Sequence, residues 1–134
     1  MAALSKLGNY KNFGLFIIRV GLGIMFIYHG YPKLLGGQKM WGQLGESTKY
    51  VGIHFLPIVW GLLCALVETV GGLLLVFGLW FRPVCILLLI NLLVAIASQL
   101  AQGGLQEAAH PIEDAIVFAG LIFLGPGKLS VDKK

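Results

Sequence analysis

Between His54 and Arg82 the sequence carries a single acidic or basic side chain, Glu68, set in the middle of the run PIVWGLLCALVETVGGLLLVFGLWFR (Pro57 to Arg82). A helix needs about 20 apolar residues to cross the ~30 Å hydrocarbon core of a bilayer, and this run supplies them. A carboxyl group at that depth is costly unless it faces protein or a cavity and finds a partner there. The chain is thereby restricted to folds in which other helices surround Glu68 and bring polar groups to it. Composition agrees: 57% of the 134 residues are hydrophobic and 12% charged, with a mean hydropathy of +0.86. Soluble domains carry about a quarter charged residues. The sequence reads as an all-α integral membrane protein with room for about four spans. No repeat, low-complexity tract or soluble linker divides it, so residues 1–134 are expected to form one unit.

The expected helices cover about 13–31, 55–81, 83–101 and 111–125. The first (FGLFIIRVGLGIMFIYHGY) is apolar except for Arg19 and His29. Helical spacing puts Arg19, Gly23, Phe26, Gly30 and Lys33 near one face, where glycines permit close helix approach. The polar stretch Gln38 to His54, with Trp41 and Tyr50, suits the headgroup level, as a cap or short amphipathic turn. On the second helix Gly61, Cys64, Glu68 and Gly72 share a face, and Gly71 adds a further small residue beside it. The third (PVCILLLINLLVAIASQL) has no charge, and its Asn91, Ala95, Ser98 and Gln102 stripe should face protein. Residues 101–110 read as a loop. The fourth helix, 15 residues from Pro111, would rise only ~22 Å, which calls for an added turn, a tilt or a partly re-entrant path.

Lys6, Lys11, Arg82, Lys128, Lys133 and Lys134 fall on one side of this topology and Lys33, Lys39 and Lys49 on the other. The excess of basic residues on the first side places both termini in the cytoplasm. Arg19 interrupts the first apolar run and no A-x-A-type site follows, so the segment reads as a retained helix rather than a cleaved signal. The net charge of +4 is scattered over loops and ends, without the basic stripe that nucleic-acid binding requires. Cys64 and Cys85 lie toward opposite ends of successive helices and read as packing residues.

Counting 1.5 Å per residue from the inner boundary puts Arg19 roughly 10 Å deep, Glu68 roughly 18 Å and Asn91 roughly 12 Å. An arginine side chain reaches about 6 Å, so an Arg19–Glu68 pair beside Asn91 is the simplest way to keep both charges out of lipid. Such a pair either fixes helix register alone, or forms a polar pocket that passes a proton or holds a carbonyl headgroup. A second polar cluster is expected at the outer side from His29, Lys33, His110, Glu113 and Asp114, with His54 facing the same compartment. No close H-x-x-x-H pair supports a metal or haem site there. Glu113 and Asp114 also suit a helix N-terminus electrostatically.

Three stretches carry a family resemblance. RVGLGIMFIYHGYPKL (Arg19 to Leu34), GLLCALVETVGGLLLVFGLWFRP (Gly61 to Pro83) and GPGKLSVD (Gly125 to Asp132) together resemble the DoxX family of small four-helix membrane proteins. The resemblance implies a multi-pass protein of the bacterial inner membrane with a link to redox chemistry. The family takes its name from a subunit of an archaeal terminal quinol oxidase, and its relatives include the membrane part of thiosulfate:quinone oxidoreductase and oxidative-stress complexes. Its pattern falls here on Arg19, His29, Gly30, Lys33, Glu68, Gly71, Gly72 and Arg82.

Three functions stay open on these grounds. The first is the membrane subunit of a quinone-linked or oxidative-stress redox complex, working with a partner subunit and with quinone as its candidate cofactor. A small-solute transporter is the second, which for so short a chain predicts a homo-oligomer. The third is a non-catalytic scaffold in which the buried charges are purely structural.

Overall fold

The computed structural model describes residues 2–133, and all its regular structure is helical. A short α1 (Ala2–Ser5) and a 3-10 segment (Lys6–Tyr10) lead into α2 (Lys11–Leu35). Then come α3 (Gly37–Gly45), a 3-10 segment (Glu46–Val51), α4 (Pro57–Phe77), α5 (Phe81–Gly103) and α6 (Leu105–Leu124). Among the described residues three segments are long and apolar enough to cross a membrane: Ala3–Leu35, Pro57–Phe77 and Phe81–Gly103. At 20 residues, α6 rises about 30 Å, but its first half carries Glu107, Glu113 and Asp114.

The expected fourth helix therefore begins six residues earlier than its sequence suggests. Pro111 reads as a helix start because proline suits a first turn, yet it sits inside α6. Only Gly104, at φ 73°, separates α5 from α6, so the loop expected over 101–110 is mostly helix. Likewise α2 continues to Leu35 with Pro32 in its last turn. By contrast α4 stops at Phe77, four residues short of the expected 81, because Gly78 turns left-handed at φ 68°. Its N–H bonds back to Leu75 O, a glycine C-cap.

The long helices pack in the order α2, α4, α5, α6, with α3 laid against the start of α4. Glycines set the closest approach. A Cβ on Gly23 would lie 2.5 Å from Gly72 O, and one on Gly72 2.6 Å from Gly23 O. Gly30 abuts Glu68 and Thr69 in the same antiparallel seam, and Gly61 receives the backbone of Trp41 from α3. Gly71 has ordinary contacts with Leu88 and Val84, so close approach does not require glycine there.

The core (Phe26, Leu75, Phe81, Val84, Cys85, Leu88, Leu92, Ala115, Phe118 and Leu121) lies inside this arc. The ends of the arc do not close backbone to backbone: no Cα of α2 lies within 8 Å of one in α6. They meet through Phe26 and Phe118, whose rings stand edge to face at 5.4 Å, a favoured aromatic geometry.

Candidate functional site

Glu68 is 6% exposed and accepts from three helices. Lys33 Nζ, at the end of α2, reaches both carboxylate oxygens at 3.2 and 3.1 Å. From α5, Asn91 Nδ2 donates at 3.1 Å, and one turn back on α4 the Cys64 thiol lies 3.7 Å from Oε1. A buried carboxylate so surrounded has its charge matched and a hydrogen bond on each oxygen. The Lys33 backbone is held as well, since the Trp41 indole N–H donates to Lys33 O at 3.1 Å.

This arrangement corrects the expected Arg19–Glu68 pair. Gly30 is the α2 residue level with Glu68, and Arg19 lies eleven residues before it, or about 16 Å along the helix. No arginine side chain spans that. Depths counted from the inner boundary miss the interhelical register, which the Gly23–Gly72 contact sets. Lys33, expected in the outer cluster, is only three residues beyond Gly30 and folds back onto Glu68. The sequence signal that could have identified it is its helical spacing from Gly23, Phe26 and Gly30 on the buried face of α2. Asn91 does join Glu68, as its place on the polar stripe of α5 suggested.

Arg19, 2% exposed, serves the opposite end of the bundle. Its Nη1 donates to Pro126 O at 2.9 Å, and its Nη2 to Leu129 O at 2.7 Å and Val76 O at 3.3 Å. The guanidinium thus ties α2 to the last turn of α4 and to the segment after α6, where helix C-terminal carbonyls favour a cation. It also lies 5.3 Å from the Phe16 ring. Nε has no hydrogen-bond partner among the described residues. The same tail caps α5: the Asp132 carboxylate accepts from Trp80 N at 3.1 Å and Phe81 N at 2.7 Å. Arg82 Nε donates to Ile122 O at 2.8 Å.

The gap between α2 and α6 is a cleft of about 290 Å³. Glu68 and Lys33 line it, with Leu22, Met25, Phe26, Leu92 and Ala95 as apolar wall and Gln99, His29, His110, Pro111 and Asp114 toward the mouth. His110 Nδ1 stands 3.7 Å from Asp114 Oδ2. Of the expected outer cluster, His29, Lys33, His110 and Asp114 thus share one cavity, while Glu113 is exposed and does not line it. Among the described residues no group of three His, Cys, Asp or Glu side chains could hold a metal ion. A second hollow of about 350 Å³, beside Trp80, Arg82, Pro83, Pro126 and Asp132, shares no lining residue with the cleft, and its two charged side chains are bonded to backbone groups.

No solved structure matches the chain significantly. One curated relative, described as "Putative oxidoreductase CatD" of Bacillus subtilis (strain 168), is 35% identical over 83 residues, which are 62% of this chain and 57% of CatD. The chain thus matches less than two thirds of that relative's length. The DoxX family pattern matches residues 14–100, a stretch that runs from α2 into α5 and includes Arg19, Lys33, Glu68 and Asn91 but stops short of α6. On a match to well over half its length, the chain belongs to the DoxX family.

Proposed function

We propose that the protein is the membrane subunit of a quinone-linked redox complex and that the cleft between α2 and α6 receives the quinone headgroup. The observation that carries this reading is the Lys33–Glu68 pair, with Asn91 bonded to its carboxylate, in the wall of a cleft that opens along a seam between helices. A ligand arriving through such a seam comes from the bilayer, so it is lipid-soluble. A ligand held here meets an ammonium with one N–H left after both carboxylate contacts, which suits a carbonyl or phenolic oxygen. The apolar walls suit a ring and the start of an isoprenoid tail, in keeping with the largely apolar linings and few fixed polar groups of small-molecule sites. The description of CatD as a "Putative oxidoreductase" supports the same class of chemistry.

In this reading the chain does not supply electrons itself; a partner subunit carries the reductant or oxidant. Four helices cross the inner membrane, α6 among them, with both termini cytoplasmic. Glu68 and Lys33 hold the headgroup and exchange protons with it. The test is extraction into native lipid discs followed by mass spectrometry for bound quinone and partner chains, alongside Glu68→Gln. Quinone held by the wild type and lost in the folded variant is the expected result. Equal retention by both places the quinone elsewhere, and no quinone in either sinks the proposal.

A further inference from the structure

The two ends of the cleft differ. Toward the histidines, titratable groups line it with graded exposure: side chains are 74% exposed at His110, 32% at Lys33, 25% at Asp114 and 8% at Glu68. His29 lines the same mouth. Toward Arg19 the way is filled. Phe26 and Phe118 meet across the seam. Beyond them Leu75, Phe81, Leu121, Arg19 and Pro126 are buried, and the Arg19 guanidinium is bonded into the carbonyls of the tail. A close-packed layer of this kind leaves no room for a water file.

We infer that water, and with it protons, reaches the Glu68–Lys33 pair only from the histidine-bearing end of the bundle. The groups facing the pair are Asn91 and Cys64 from α5 and α4, His29 from α2, and His110 and Asp114 from α6. Acid–base exchange with bulk solvent therefore runs through the mouth that His29, His110, Asp114 and the partly exposed Lys33 line, whichever ligand occupies the cleft. A proton released or taken up there is exchanged with one compartment alone, which makes the site directional. The inference rests on the proposed function only for what the protons serve; the one-sided access stands on the packing.

The experiment uses the full chain with a reporter thiol in the cleft wall, Ala95→Cys, and Gln99→Cys one turn nearer the mouth as a second reporter should the first fail to fold. The membrane-impermeant trimethylammonium-ethyl methanethiosulfonate is added to sealed vesicles of each orientation, sorted by a C-terminal tag. Modification is followed by peptide mass spectrometry, with native Cys64 and Cys85 as internal references. The expected result is modification at least tenfold faster when the histidine-bearing face is outside. Equal rates from both faces, or faster reaction from the tail face, would overturn the inference. So would reaction with membrane-permeant N-ethylmaleimide alone, which would mean access through lipid, or no reaction with either reagent, which would mean a closed cleft. Quinone retention by the unlabelled wild type is scored separately, so a failed ligand assignment and a failed access assignment give different results.

Discussion

Removing Lys33 should destabilise the bundle chiefly through Glu68. At 3.1 Å and an effective dielectric of ~20, the gross attraction of the pair is about 5 kcal/mol. The Lys33 side chain is 32% exposed, so solvent screening and lost side-chain entropy reduce the net coupling to about 2–3 kcal/mol. Lys33→Met leaves a carboxylate hydrogen-bonded by Asn91 and Cys64 without its ion-pair partner, a cost of about 3 kcal/mol as for other broken buried pairs. Glu68→Gln strands the ammonium less severely, because Lys33 can turn toward the mouth. In the double variant both penalties fall away, and its loss of stability should fall short of the sum of the single losses by about 2–3 kcal/mol. Equilibrium unfolding in mixed lipid–detergent micelles by added SDS measures all four corners of the cycle. The parallel cycle of Arg19→Met with Glu68→Gln should be additive to about 0.5 kcal/mol, because the two groups lie about 16 Å apart along the bundle. A Lys33–Glu68 coupling below about 0.5 kcal/mol, or a larger coupling to Arg19, would refute the assigned partnership.

Replacing Gly23 by alanine places a methyl group against Gly72 O; the helices must part, and a loss of about 1–3 kcal/mol should appear in the same unfolding assay, while Gly71→Ala should be near neutral. Arg19→Lys should cost about 2 kcal/mol, since a point cation cannot span carbonyls on α4 and on the tail as a planar fork does; thermal melts in lipid discs read this. Asp132→Ala removes the two-pronged cap on α5 and should cost about 1–2 kcal/mol, with hydrogen exchange rising first at Trp80 and Phe81. Trp41→Phe keeps the ring but drops the bond to Lys33 O, and should lower quinone retention in native discs while costing about 1 kcal/mol of stability.

The three long apolar spans that include α2, α4 and α5 were legible because lipid imposes long apolar runs, and Asn91 was legible beside Glu68 because a polar stripe in such a helix has to face protein. The identity of the cation was not. Arg19 and Lys33 lie on the same face of α2, and choosing between them needs the register of α2 against α4, which the mutual fit of Gly23 and Gly72 sets and no count along one helix contains. Arg19's partners were hidden for another reason: they are backbone carbonyls, which every residue carries, so sequence gives no mark of them. Pro111 misdirected the start of α6 because proline inside a helix and proline at its first turn look the same without the neighbouring backbone. His110 and Asp114 were legible as a cluster, but their place at the mouth of a cleft depended on α2 and α6 staying apart.

The bonds from Arg19 to Pro126 and Leu129 join residues 107 and 110 positions apart, and this bears on biosynthesis. The first long helix enters the bilayer before those partners have been made, so its guanidinium must wait in water, at the headgroups or in the insertion machinery until translation has passed residue 129. Closure of that end of the bundle is then a late event, and a product cut short before residue 126 would carry an unmatched cation where the finished protein has a sealed layer. Such a fragment would be a natural substrate for membrane proteases, and its half-life in cells would report how far Arg19's late partnership sets the order of assembly.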